Sequence, residues 1–324
     1  MQRSHFHRLA IGAVLAGSSL LAWGGQPAAW PTRPVRLVVG FPAGSTPDAA
    51  ARALADGLAG ALGQPVIVEN RAGASGNLAA GVVAKAADDH TLGVVINGNL
   101  TTARLLNPGL SYDPARDFAY LSLLTTAPLA LVTRADLPAG PAFFAAARAQ
   151  GERWSYGSVG SGSVAHLGME WLKSRMPGLA PVHVPFQGNP GVVTALIGGH
   201  IEMALVPPGI AAPHVQSGRL RFVGLTSGRS TLAPQVPSLG EMGVQDFNLE
   251  VWTALVGPAG LSRAAQQRLA EAVPEVLRAA EVRQRLFQQG WNAVGSAPEG
   301  LRARVAEESA AFRRLIQSAR IQAE

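Results

Sequence analysis

The sequence contains no cysteine among its 324 residues. This absence excludes disulfides, thiolate metal sites, cysteine nucleophiles and the lipid-modified cysteine of a bacterial lipoprotein. Charged residues make up only 15% of the chain, whereas hydrophobic residues make up 48%. The chain can therefore build a core and does not belong to the disordered class. Its length allows one large domain or two of moderate size.

Lysine and aromatic residues are also scarce. Lys85 and Lys173 are the only lysines, so nearly all of the 27 basic residues are arginines, and aromatic residues make up 6% of the chain. The basic residues are scattered and form no basic block. Nucleic-acid binding is therefore poorly supported. The net charge of +6 fits a small anionic ligand and a solvated surface equally well.

No apolar stretch beyond the N-terminus is long enough to span a bilayer. The N-terminus itself has the layout of a secretory signal peptide, because Arg3 and Arg8 precede an apolar run of leucines and small residues. Glycine and serine interrupt this run, which argues against a retained membrane anchor. We therefore expect residues 1–29 to direct export to the periplasm and to be cleaved after Gly24 or Ala29.

Short β-rich segments alternate with helical patterns along most of the remaining chain. This alternation is typical of parallel-rich sheets flanked by helices. Two β-rich segments, 118–133 and 248–256, exceed the usual strand length of about five to six residues and are predicted to cross between sheets. Two crossings predict two α/β lobes with a ligand cleft between them. Residues 30–125 and 253–324 would form lobe 1, and residues 126–252 would form lobe 2.

The first strand, loop and helix provide a candidate anion site. The strand VRLVV leads into a loop of small residues, and leucines at helical spacing follow. Thr46 is predicted to cap the helix, and Pro47 to occupy its first position, where a missing N–H costs nothing. Unpaired N–H groups and the positive end of the helix dipole favour an anion there. An ordinary capped connection would have the same sequence pattern.

A second loop, made of glycine and serine, repeats this arrangement. The β-like segment WSYGSV runs into Gly160, Ser161, Gly162 and Ser163, and a helix follows that Ser163 can cap. Glycine lets the backbone approach a ligand, and serine adds a hydroxyl donor. Two such loops facing each other would hold a carboxylate, with the N–H groups of Gly160 and Gly162 close to it.

Hypotheses of enzymatic function have less support. Residues 160–165 match the weak dinucleotide pattern G-x-G-x-x-A, but the acidic residue expected about twenty positions later is missing. The sequence has no nucleophile elbow and no Walker loop. Its histidines lie singly rather than at metal-ligand spacing, and we interpret His166, near the start of a helix, as structural. We predict no catalytic residue, no metal and no cofactor.

Several motifs, in order along the chain, identify a family. They are WPTRPVRLVVGFPAGSTPD, LGQPVIVENRAGASGN, NPGLSYDPARDF, YGSVGSGSVAHL, VHVPFQGNPGVVTALIGGHIEM, APHVQSGRLR, PQVPSLGEMG and GPAGLS. In this order and spacing the chain resembles the substrate-binding proteins of tripartite tricarboxylate transporters, also called the Bug family. The similarity extends from about Trp30 to the C-terminus.

The resemblance implies a two-lobed, type II-like periplasmic binding protein, monomeric and without catalytic activity, that passes its ligand to a membrane permease. It also implies that two loops, 41–48 and 158–163, grip a ligand carboxylate. The predicted ligand-binding residues are accordingly Phe41, Ala43, Gly44, Ser45, Thr46, Asp48, Asn99, Ser158, Gly160, Ser161, Gly162, Ser163, Phe186 and Val206.

Three departures from the family pattern bear on the ligand. Ser45 replaces a glycine of the first loop, and Pro47 is added beside it. Val206 and Pro207 stand where relatives often have Asp or Asn, and Phe186 replaces the usual tyrosine. These changes predict a carboxylate with an apolar body rather than an amino acid or a hydroxylated acid. A periplasmic sensor module of the same fold, or less favourably an enzyme acting on small acids, remains an alternative.

Overall fold

The computed structural model describes residues 30–318 and Ile321. The predicted signal peptide, residues 1–29, lies outside the described residues. Within the described part of the chain, no helix combines the length and the apolar character needed to cross a membrane.

Strands and helices alternate through most of residues 30–318, which form eleven strands, eleven α-helices and two short 3₁₀ helices, Ala74–Gly76 and Gly151–Arg153. The strands are β1 (Val35–Val39), β2 (Val66–Asn70), β3 (Thr91–Ile96), β4 (Phe118–Pro128), β5 (Ala130–Arg134), β6 (Ser155–Ser158), β7 (Val182–Pro185), β8 (Met203–Val206), β9 (Leu220–Leu225), β10 (Glu250–Pro258) and β11 (Asn292–Ala293). The α-helices are α1 (Thr46–Leu62), α2 (Asn77–Ala84), α3 (Asn97–Thr101), α4 (Ala103–Leu106), α5 (Pro141–Gln150), α6 (Val164–Arg175), α7 (Asn189–Ile197), α8 (Pro208–Gln216), α9 (Arg263–Arg278), α10 (Ala280–Gln288) and α11 (Pro298–Ser318).

The strands form two sheets, and each sheet is the centre of one lobe. The first lobe has the strand order β11-β4-β10-β3-β1-β2, and the second has β7-β6-β8-β5-β9. Parallel pairs join β1 to β2 and β3, and β6 to β7 and β8, as the alternating pattern predicts. The remaining pairs, which involve β4, β5 and β10, are antiparallel. Both sheets are therefore mixed rather than parallel-rich, because the crossing segments add antiparallel neighbours.

Both faces of each sheet are covered by a hydrophobic cluster. In β1, Val35 and Leu37 face a cluster that includes Leu58 of α1, whereas Val38 faces the opposite cluster. This division follows from the two-residue period of a strand, which turns successive side chains to opposite faces. A strand buried on both faces needs a continuous apolar run, which is why VRLVV shows almost no alternation of apolar and polar residues.

The chain crosses between the lobes at two adjacent places. Strands β4 and β5 belong to different sheets and are separated by Leu129 alone, and β10 begins directly after Leu249. The buried hydroxyl of Thr226 accepts a hydrogen bond from the Leu129 N–H at 2.9 Å and donates to the Leu249 carbonyl at 2.6 Å. One side chain thus ties both crossings together. The division of lobes at residues 125/126 and 252/253 stays a prediction.

Candidate functional site

A cavity lies between the lobes, and both lobes contribute to its wall. The wall consists of Phe41, Ser45, Thr46, Pro47, Ile96, Leu129, Val159, Val164, Ala165, Asn189, Leu205, Pro207, Val251 and Trp291. The cavity therefore occupies the place where the sequence predicts a ligand cleft.

Two helices begin at this wall, one from each lobe. Ser45, Thr46 and Pro47 stand at the start of α1, and Val164 and Ala165 stand at the start of α6. None of the described residues in the wall carries a charge. Positive potential in the cavity therefore comes from the helix dipoles and from N–H groups at the helix starts, which together favour an anion.

Helix α1 begins one residue earlier than the sequence predicts. Ser45, not Thr46, is the extended N-cap residue, with φ −72° and ψ 160°, and Pro47 is already the second helical residue. Proline is tolerated there because the first N–H groups of a helix have no partner within it. Ser45 is 1% exposed, and its Oγ has no hydrogen-bond partner among the described residues.

Asp48 fixes the shape of the first loop. Its carboxylate accepts hydrogen bonds from the Gly44 N–H at 2.9 Å and from Asn70 Nδ2 at 2.8 Å, and it pairs with Arg52. Burial alone would raise the pKa of Asp48, but the hydrogen bonds from Arg52, Asn70 and Gly44 outweigh it and lower the pKa. Ala43 and Gly44 lie exposed at the outside of the turn. Ala43, Gly44 and Asp48, all predicted to bind the ligand, therefore do not contribute to the cavity wall.

Replacing Asp48 with asparagine is expected to lower the free energy of unfolding at neutral pH by about 1–2 kcal/mol, since the amide loses a charge-assisted acceptor. A carboxyl whose pKa is lowered by folding contributes stability above its ordinary pKa of 3.8, and this contribution is lost as the pH falls through the folded-state pKa. Urea unfolding should therefore show a gap between the two proteins that closes in acid. A gap of constant size would contradict this role.

The second loop uses its N–H groups within itself. The Gly160 N–H donates to Ser158 Oγ at 3.1 Å, and the Gly162 N–H donates to Nδ1 of His166 at 3.0 Å. Neighbouring side chains thus accept from both N–H groups, and the contact predicted between these groups and a ligand stays a prediction. Ser163 caps α6 as predicted and accepts from the His166 N–H at 3.3 Å. The bond to Gly162 supports the structural interpretation of His166.

The second loop also contacts the first lobe directly. Ser75 Oγ donates to the Ser161 carbonyl at 3.2 Å, and Thr102 Oγ1 donates to the Gly162 carbonyl at 2.7 Å. Gly160, with φ +118°, lies so close that a Cβ atom there would overlap Ser75 Oγ. The small residues of this loop thus let the lobes approach each other, rather than only letting the backbone approach a ligand.

Further contacts between the lobes lie at the wall of the cavity. Asn189 Nδ2, at the start of α7, donates to Thr46 Oγ1 at 2.7 Å. Gly209 of α8 touches Gly290 so closely that a Cβ on Gly209 would lie 2.5 Å from the Gly290 Cα. Gly290 precedes Trp291, which is 1% exposed and whose Nε1 donates to the Thr46 carbonyl at 3.3 Å. The two lobes are therefore in contact around the cavity.

Asn99 lies near the cavity but supports its surroundings. Its Oδ1 accepts from the Ile96 N–H at 3.2 Å, and its Nδ2 donates to the Ser75 carbonyl at 3.0 Å. Ser75 has φ +53°, a left-handed conformation that is uncommon for residues other than glycine. Asn99 thus stabilises the segment that touches the second loop.

Phe186 and Val206, the two remaining predicted residues, lie at different depths. Phe186 is half-buried and lines a separate opening between the lobes together with Phe41. Val206 is fully buried in the core of the second lobe, whereas its neighbours Leu205 and Pro207 line the cavity. The apolar character predicted for this segment is therefore presented to the cavity by its neighbours.

Sequence analysis missed most of the wall, including Asn189 and Trp291, the two wall residues outside the predicted set whose side chains can form hydrogen bonds. Asn189 begins a helix after a β-rich segment, and this is the same signal that identified the first two loops. Trp291 follows a positive-φ glycine at the end of α10, and nothing near it in the sequence indicates a site.

Residues 50–321 match the family described as the tripartite tricarboxylate transporter family receptor. Protein BugT of Bordetella pertussis is 33% identical over 284 residues, which cover 86% of this chain and 87% of that protein. The structure of R. palustris Rpa4515 with adipate is 29% identical, covers 90% of this chain and 99% of its own, and has a TM-score of 0.86. MatC (Rpa3494) from Rhodopseudomonas palustris with bound malate is 32% identical, covers 89% and 100%, and has a TM-score of 0.83. The chain therefore belongs to the tripartite tricarboxylate transporter receptor family, as its motifs predict.

Proposed function

We propose that this protein captures a small organic carboxylate between its lobes and delivers it to a membrane permease of the tripartite type. The observation that carries the proposal is the uncharged cavity between the lobes, at whose wall α1 and α6 both begin. An anion placed there would meet two positive helix ends. The adipate and malate bound in two related structures are organic carboxylates of this kind.

In this proposal the ligand draws together lobe 1, residues 30–125 with 253–324, and lobe 2, residues 126–252. The lobes rotate about the two crossings, which is the usual mode of closure in such receptors. Residues 1–29 act as a cleaved signal peptide that sends the chain to the periplasm, where it works as a monomer. The contacts of Ser75 and Thr102 with the second loop form on closure.

Calorimetric titration of the exported protein with a panel of mono- and dicarboxylates is expected to show saturable binding of one ligand per chain. The amide or methyl ester of the same acid should not bind, because it lacks the charge that the helix ends attract. Ligand at a hundredfold excess over Kd adds about 2.7 kcal/mol to the free energy of unfolding, which raises the melting temperature visibly. The intact mass of the same sample gives the point of signal cleavage.

Two results would contradict this function. Equal binding of the acid and its amide would show that the cavity does not recognise the negative charge of the ligand. Chemical conversion of the bound acid, measured by recovering the ligand after incubation, would favour the enzyme hypothesis instead.

A further inference from the structure

Ser45 is an N-cap residue whose side chain does not cap its helix. Ser163 and Ser262 also precede helices, and each accepts a hydrogen bond from an N–H of the first turn at 3.3 Å. At Ser45, by contrast, no N–H of the first turn of α1 donates to the side chain. The Ser45 hydroxyl is thus left unused by the helix that it begins.

The backbone of Ser45 is fully engaged, in contrast to its side chain. Its N–H donates to the Pro42 carbonyl at 3.1 Å, and its carbonyl accepts from the Ala49 N–H at 2.9 Å. Its Oγ is buried in the cavity wall without a hydrogen-bond partner among the described residues. Buried hydroxyls nearly always have a partner, so this group calls for one that enters the cavity.

The other hydrogen-bonding side chains of the wall are engaged with the protein. Among the described residues these are Thr46, Asn189 and Trp291: Asn189 Nδ2 donates to Thr46 Oγ1 at 2.7 Å, and Trp291 Nε1 donates to the Thr46 carbonyl at 3.3 Å. The side chains of Leu129, Leu205 and Val251 line the cavity and have no hydrogen-bonding atoms. One carboxylate can therefore be stabilised beside Ser45 and the start of α6, whereas a second carboxylate would be buried against apolar groups.

We infer that Ser45 donates its hydroxyl to the ligand carboxylate, and that the ligand is a monocarboxylate with an apolar body. Ser45 then determines specificity, because its hydroxyl binds the single charged end of the ligand. This inference rests on the proposed function and narrows it. It also separates this chain from the two related structures, since adipate and malate each carry two carboxylates.

Matched pairs of acids test the ligand class. Butanoate and succinate have equal chain lengths, as do hexanoate and adipate, and the members of each pair differ by one carboxylate. Calorimetry should show that the monocarboxylate of at least one pair binds ten or more times tighter than its partner. Equal or tighter binding of the dicarboxylates would overturn the inference and leave the proposed function intact. Failure of every acid in the wider panel would overturn both.

Two serine variants test the role of Ser45. Ser45→Ala should weaken binding of the preferred acid at least tenfold, because a hydrogen bond to a charged group is lost, and should leave the melting temperature nearly unchanged. Ser262→Ala removes a hydroxyl that caps α9 and lies outside the cavity wall, so it should lower the melting temperature and leave affinity unchanged. A Ser45→Ala variant with wild-type affinity would overturn the inference, whether or not it also loses stability as Ser262→Ala does.

Discussion

Gly209→Ala is expected to weaken ligand binding about ten- to a hundredfold without unfolding the protein. A Cβ on Gly209 would lie 2.5 Å from both the Cα and the N of Gly290 in the facing lobe. Both partners are backbone atoms, so no side chain can rotate to relieve the overlap. Overpacking of this kind costs about 1–3 kcal/mol, and every 1.4 kcal/mol changes an equilibrium about tenfold.

The same substitution should leave each lobe intact. Gly209 lies in the first turn of α8 and does not have a positive φ, so alanine fits its backbone. Gly60→Ala is the matched control, because Gly60 lies within α1 and faces open space. Small-angle scattering should show a larger radius of gyration for Gly209→Ala in the presence of ligand, and no change for Gly60→Ala. Wild-type affinity and wild-type size in Gly209→Ala would contradict a closing contact at this position.

The free energy of unfolding is expected to fall as the pH rises from about 4.5 to about 7, because of Glu308. Burial raises the pKa of this carboxyl to about 7, even though it accepts hydrogen bonds from Trp252 Nε1 at 2.6 Å and Asn97 Nδ2 at 2.8 Å. A group with a raised pKa holds its proton more tightly in the folded state than in the unfolded state. Its contribution is therefore complete below its ordinary pKa of 4.5 and is lost as the pH rises through the folded-state value.

Glu308→Gln should abolish this loss. The difference in the free energy of unfolding between variant and wild type is expected to shift by up to about 3 kcal/mol in favour of the variant across this pH range. Asn97 Oδ1 is buried without a partner among the described residues, so a turned Asn97 amide can accept from the new glutamine NH₂, although it then gives up its bond to the Glu250 carbonyl.

Urea unfolding at a series of pH values measures the effect of Glu308. Glu307→Gln removes the same charge from an exposed position on the same helix and is the control for net charge alone. Parallel stability profiles for Glu308→Gln and wild type would show that the carboxyl titrates as it does in water.

Much of the fold follows from patterns of neighbouring residues. Helix α6 begins directly after its predicted cap, Ser163, and β1 coincides with VRLVV, because neighbouring residues determine both patterns. The long segment 118–133 could be predicted as a crossing because its apolar run exceeds one strand. The break at Leu129 could not, since the residues on both sides of it are equally β-prone.

Less of the site than of the fold could be predicted from the sequence, because the geometry of the site depends on residues that are distant in the chain. The two glycine N–H groups of the second loop were assigned to a ligand, but His166 and Ser158 accept from them. Local sequence does not show which acceptor a donor will meet after folding. The contact between Gly209 and Gly290 is equally hidden, since each glycine alone looks like an ordinary helix start or end.

Thr226 limits how the lobes can move in the rotation proposed above. Because its hydroxyl bonds to both Leu129 and Leu249, the two connecting strands cannot slide past each other without breaking a buried hydrogen bond. We therefore expect the lobes to turn about one fulcrum rather than to shear. With a single fulcrum, displacement grows with distance from it, so a small angle at Thr226 becomes a large separation at the loops that face each other across the cavity.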